Sequence, residues 1–204
     1  ASADAGLWAV LAYSLAPVLH VLGIGLLPDT LLMFFTAAIL WQTLRLLDAA
    51  EAQRLSAWLL LGALLGLAGL AKYTAIFAAL PVAACLLAAH GGKLLRRPAP
   101  WLALGLAVVL VLPVFIWNAQ NSWISFAYQL HHGAGSQWQW QPLAGFLLAQ
   151  VLLYPLLVWG TFGLRRRALG GAGLQRPQAW LLSFFALPLA VLAYLSGGGS
   201  SLPH

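Results

Sequence analysis

Few side chains in this 204-residue chain can do chemistry, because only ten are Lys or Arg and four are Asp or Glu. Two of these charges stand apart from the rest. Asp29 follows Pro28 at the head of an apolar run, and Lys72 interrupts a second run. A carboxylate at a helix start can cap free backbone N–H groups, and it can also hold a metal ion or orient a sugar hydroxyl. A cap does not exclude a second role, so both readings of Asp29 stay open. A lone lysine near a helix end can snorkel to water or receive an anion such as a phosphate. Tyr73 and Thr74 beside it offer hydrogen-bond donors. The third group lies in the uncharged stretch 118–142, where Asn118, Gln129, His131 and His132 stand among Trp123, Tyr128, Trp138 and Trp140. Aromatic faces with amides and imidazoles make a sugar-binding surface, and an interfacial aromatic belt has the same composition. His131 and His132 make a poor metal pair, being adjacent and without a nearby Glu. No Ser-His-Asp order, Cys/His zinc spacing or paired carboxylate is present. No motif demands a cofactor, and a divalent metal ion is the one that a lone outer carboxylate would help to hold.

The elements that must carry these residues are apolar helices. Apolar types make up 62% of the chain and charged types 7%, against roughly 25% charged in an average soluble domain. That leaves too little polar surface for a water-soluble globule, a disordered tail or a secreted disulfide scaffold, so the chain reads as an integral membrane protein. No charge occurs between Asp4 and Asp29, from 98 to 164, or after Arg176. The net charge of +6 sits in short clusters between apolar runs, which fits membrane topology rather than a nucleic-acid stripe. Cys85 lies inside an apolar run and can form no internal disulfide.

Seven spans can be drawn, over about 6–27, 30–47, 57–71, 74–89, 101–117, 143–163 and 179–195, with a long loop at 118–142. The fold class is therefore all-α: a polytopic bundle forming a single transmembrane domain over 1–204. The stretch 57–90 would reach ~51 Å as one helix, against ~30 Å of hydrocarbon. It should turn near Lys72 as a tight hairpin. Pro17, Pro81, Pro113, Pro155 and Pro188 fall inside spans and are expected to kink them. With this count, Arg45, Arg54, Lys93, Arg96, Arg97, Arg165, Arg166, Arg167 and Arg176 share one side, and Lys72 alone has the other. The basic side should face the cytoplasm. The other side, periplasmic or extracellular, holds Asp29, Lys72 and the 118–142 loop. The Gly62, Gly66 and Gly69 spacing marks close helix packing.

Four segments, in order, carry a family resemblance: Leu27-Pro28-Asp29-Thr30; Gly66-Leu67-Ala68-Gly69-Leu70-Ala71-Lys72-Tyr73-Thr74-Ala75; the stretch from Pro113 and Asn118 into Trp123, Gln129 and His132-Gly133; and the terminal Ser201-Leu202-Pro203-His204. The set resembles bacterial GT-C class membrane glycosyltransferases, related to protein O-mannosyltransferases and lipid A aminoarabinose transferase. The resemblance implies transfer of a hexosyl or pentosyl group from a polyprenyl-phosphate-linked sugar, on the outer face of the cytoplasmic membrane. It implies Asp29 as a secondary acid and Lys72 near the donor phosphate. The family's principal acid sits in a first outer loop, and none precedes Gly6. The chain thus reads as an inactive piece of a longer protein, with the general base unassigned.

Membrane lipids are the other expected partner, and nucleic acid is not one. The alternative is a transporter or flippase-like protein without group transfer, and a non-catalytic membrane scaffold is a third reading. Against a transport pathway, intramembrane charges are nearly absent. The charge map is directly testable: cysteines at Ser122 and Ser136 should react with an impermeant thiol reagent from outside intact cells, and cysteines at Gln53 and Gln175 should not. External labelling at Gln53 would overturn the orientation.

Overall fold

The computed structural model describes residues 3–15, 28–133, 138–154, 160 and 176–198. Among them the chain forms eight α-helices and no strand: α1 Ala3–Ser14, α2 Pro28–Leu46, α3 Leu55–Ala71, α4 Ile76–His90, α5 Pro98–Gln120, α6 Ile124–Gly133, α7 Trp140–Leu153 and α8 Arg176–Gly198. The protein is all-α, as its composition requires: in hydrocarbon a helix satisfies its own backbone. The stretches Tyr73–Arg96 and Pro98–Gln120 are long and apolar enough to cross a membrane. Leu104, Val108, Val109, Leu112 and Ile116 of α5 all lie exposed, a surface whose matching solvent is lipid. The drawn spans 30–47, 57–71, 74–89, 101–117 and 179–195 each coincide with most of one helix. Spans 6–27 and 143–163 run into residues outside the description, as do Pro17 and Pro155. Pro81, Pro113 and Pro188 lie within helices that continue through them.

The direction of each helix follows from its cross-contacts. Gln42 is fully buried and its Nε2 donates to the Ala57 carbonyl at 2.7 Å, while Asp29 of α2 meets Lys72 beyond the end of α3. Thus α2 and α3 are antiparallel. Between α3 and α5 the contacts ascend together. A Cβ at Gly62 would strike the Ala103 backbone, one at Gly66 would lie 2.8 Å from Leu110, and one at Gly69 2.8 Å from Val111. These helices are parallel and nearly touch, and α4 is the return leg between them.

The expected turn at Lys72 is present. Lys72 adopts φ −160° and ψ 143°, its N–H still closing on the Ala68 carbonyl, and a 3₁₀ turn at Tyr73–Ala75 leads into α4. The two arms differ from a tight hairpin, however. α3 packs chiefly on α5 and α2, and α4 on α8 and α2, so the arms diverge from the turn. The reason is geometric: the glycine face of α3 is taken up by α5.

The end of the bundle opposite Lys72 is knotted by polar contacts. Glu51 pairs with Arg45 at 2.7 Å and Arg54 at 2.9 Å, and Arg45 lies over the Trp41 ring. Trp58 Nε1 donates to the Ala52 carbonyl. His90 Nε2 meets the Leu46 carbonyl at 2.7 Å, where α2 has no further turn to use that acceptor. Gly91, at φ +66°, then turns the chain, a conformation that favours glycine. Arg97 is extended, as a residue before proline prefers, and Pro98 opens α5.

The α3–α5 contact predicts a graded result. Gly62→Leu must force backbone apart and should cost at least about 1–3 kcal/mol, read as a lower melting temperature in detergent. Gly69→Ala would put its Cβ 2.8 Å from a methyl group of the stiff Val111 side chain rather than against backbone, so it should destabilise too, but by less than Gly62→Leu. Equal melting of Gly62→Leu and the wild type would refute the packing.

Candidate active site

The antiparallel run of α2 and α3 brings the two isolated charges together. Lys72 Nζ lies 2.6 Å from Asp29 Oδ1, across 43 positions of sequence. The side chains are 39% and 35% exposed, so the pair is half-buried and open to an incoming group. Pro28 occupies the first position of α2 and Asp29 the second. Asp29 is therefore not the N-cap, and its carboxylate turns to the ammonium. An acid in the first helical turn is still favoured by the helix dipole. The bundle end that holds this pair is opposite the one carrying Arg45, Arg54, Lys93, Arg96 and Arg97.

Tyr73 is half-exposed and its ring packs on Phe126 of α6 at 5.1 Å. Phe126 also stacks on Phe115 at 5.6 Å and meets Trp123 at 5.8 Å. The short helix expected in the 118–142 loop is α6, and this ring cluster docks it beside the Lys72 turn. Between α5 and α6, Ser122 and Trp123 hold φ of 55° and 57°, and the Trp123 N–H donates to the Asn118 carbonyl at 2.8 Å. Asn118 is fully buried. Its Nδ2 donates to the Val114 carbonyl at 2.9 Å, and its Oδ1 has no hydrogen-bond partner among the described residues. The α6 backbone carries Gln129, His131 and His132; their side chains lie outside the described residues. The end of the loop is tied down: Trp138 Nε1 donates to the Tyr194 carbonyl and the Gln139 N–H to the Gly197 carbonyl. Trp138 and Trp140 meet edge to face, 4.5 Å apart.

Sequence reasoning weighed Asp29 and Lys72 separately and missed their pairing. The signal was available, since two helices of similar length joined by a short turn return their far ends to one place. It also missed Phe126 as the centre of a brace. Among the described residues no group of three or more His, Cys, Asp or Glu assembles, and the Lys72 ammonium occupies Asp29.

The model of the dolichyl-phosphate-mannose-protein mannosyltransferase family matches residues 2–117, more than half of the chain. The chain belongs to this family. It is accordingly a GT-C-type membrane glycosyltransferase at the level the family defines. No curated protein and no solved structure matches the chain. The mannosyltransferase match takes in both Asp29 and Lys72 and stops one residue short of Asn118.

A double-mutant cycle checks the pair within this mannosyltransferase-family chain. Asp29→Asn, Lys72→Met and the double variant should show a coupling of about 0.2–1 kcal/mol in detergent melting, the range for a half-exposed ion pair. Strict additivity of the two single changes would mean that the contact contributes nothing.

Proposed function

We propose that the chain takes part in moving a sugar from a polyprenyl-phosphate donor to an acceptor hydroxyl at the outer face of the membrane, and that Lys72 and Asp29 mark the place. The observation that supports this most is the ion pair at the bundle end remote from the basic cluster. In such a transfer the bond from the sugar's anomeric carbon to the phosphate oxygen breaks, and a bond to the acceptor oxygen forms. Negative charge grows on the departing phosphate oxygen, where a fixed cation lowers the barrier. Lys72 is that cation, held at the level of a head group while the lipid lies along the apolar helices. The acceptor's proton leaves to a carboxylate. Asp29 serves as a secondary acid that orients a hydroxyl, with the general base unassigned. Tyr73 lies beside the leaving group, and Gln129, His131 and His132 of α6 serve the sugar and acceptor, while Asn118, expected among them, is fully buried and instead shapes the turn that carries α6. Exposed Trp123, Trp138 and Trp140 offer ring faces for sugar stacking.

The test uses the intact protein in membranes at equal abundance. Lys72→Ala should lower kcat/KM for the lipid-phosphate donor on the order of a hundredfold, as for loss of one oxyanion-stabilising group. Lys72→Arg should keep part of the activity, because its cation meets the phosphate with a different shape. Asp29→Asn should lower turnover while the protein remains folded. Unchanged donor kinetics in Lys72→Ala would leave the lysine a snorkelling role alone.

A further inference from the structure

Lys72 and Asp29 carry a consequence for the order of events, one that rests on the donor reading above. The Lys72 ammonium is occupied: its Nζ is 2.6 Å from the Asp29 carboxylate. Its backbone is set by the break after α3, with its own N–H on Ala68 and its carbonyl accepting from Ala75, so only the side chain is free to change partner. Arg45, Arg54, Lys93, Arg96 and Arg97 belong to the opposite end, so among these described cations Lys72 alone stands where an incoming phosphate would meet the pair. Both members are more than one-third exposed, and an anion can reach them without unfolding anything. We infer that the Asp29 carboxylate is a displaceable stand-in for the donor phosphate on Lys72: the phosphate binds by exchanging with it, and the exchange releases Asp29.

Two effects follow from one exchange. Asp29 lowers donor affinity, because the phosphate must break an existing ion pair before it gains its own. The same step arms the site, because a carboxylate already held by an ammonium has its oxygen engaged, whereas a released one can accept a hydrogen bond from the acceptor hydroxyl and orient it. Donor binding therefore precedes productive acceptor binding. Asp29 is in this sense a specificity-determining residue that rejects weak anions.

The experiment measures binding of a polyprenyl phosphate to the intact protein in nanodiscs, with the uncharged polyprenol as control. Asp29→Asn should bind the phosphate about two- to fivefold more tightly than wild type, the equilibrium factor of a half-exposed ion pair. Binding of the polyprenol should not change. Asp29→Ser, which also lacks the charge, should behave alike and guards against misfolding of one variant. Asp29→Asn combined with Lys72→Ala should bind as weakly as Lys72→Ala, showing that the gain runs through the lysine. Weakened binding in Lys72→Ala with no gain in either Asp29 variant would overturn the exchange and leave the donor reading standing. Unchanged binding in Lys72→Ala would remove both.

Discussion

Two backbones in contact determine the layout of this bundle. Gly62 of α3 sits against the Ala103 backbone of α5, and Gly66 and Gly69 continue the contact one and two turns later. In lipid no water is released when apolar helices meet, so close van der Waals contact must supply the attraction, and glycine permits the closest approach. Because α3 and α5 are parallel, the chain between them has to run back, and it can do so only by breaking the helix. The break falls at Lys72, three residues after the last glycine of the contact. The packing interface therefore ends where the candidate site begins, and the position of Lys72 is as firm as the α3–α5 contact.

The polar groups sort to the two ends, with different jobs. At the basic end Glu51, Trp58, His90 and Arg97 spend their hydrogen-bonding capacity on neighbouring side chains and on the carbonyls of Leu46 and Ala52. Those contacts close the chain on itself. At the other end Asp29 and Lys72 satisfy each other while remaining half-exposed. A self-contained pair of that kind stores two opposite charges at small cost, and another ion can take over either of them. A lone lysine at the same depth would be costlier to keep and would have no internal competitor.

Much of this was legible in the sequence. The scarcity of charge implied helices, the over-long apolar stretch implied a break near Lys72, and the arginine clusters separated the two ends. The rest was hidden for a physical reason. A helix in lipid is apolar all round, so no amphipathic stripe marks the face that packs. The glycines showed that α3 packs closely, but not that its partner is α5 rather than the neighbouring α4. For the same reason the divergence of α3 and α4, the burial of Asn118 and the central place of Phe126 left no trace in spacing. Asp29 drew attention through its residue type, and its bond to Lys72 came only from the antiparallel pairing of α2 with α3.

The left-handed pair Ser122 and Trp123 shows how firmly α6 is held to this end. A side chain with a Cβ pays roughly 1–2 kcal/mol in that conformation, and two consecutive residues adopt it here. Such a turn persists only where its surroundings over-determine it. Two sets of contacts do so: the Trp123 N–H on the Asn118 carbonyl, and the Phe126 ring among Phe115, Trp123 and Tyr73. The last ring follows Lys72 directly. The ring contact therefore sets α6 directly against the turn whose backbone carries the lysine. The helix whose backbone bears Gln129, His131 and His132 and the turn bearing the cation are thus held side by side at one end of the bundle.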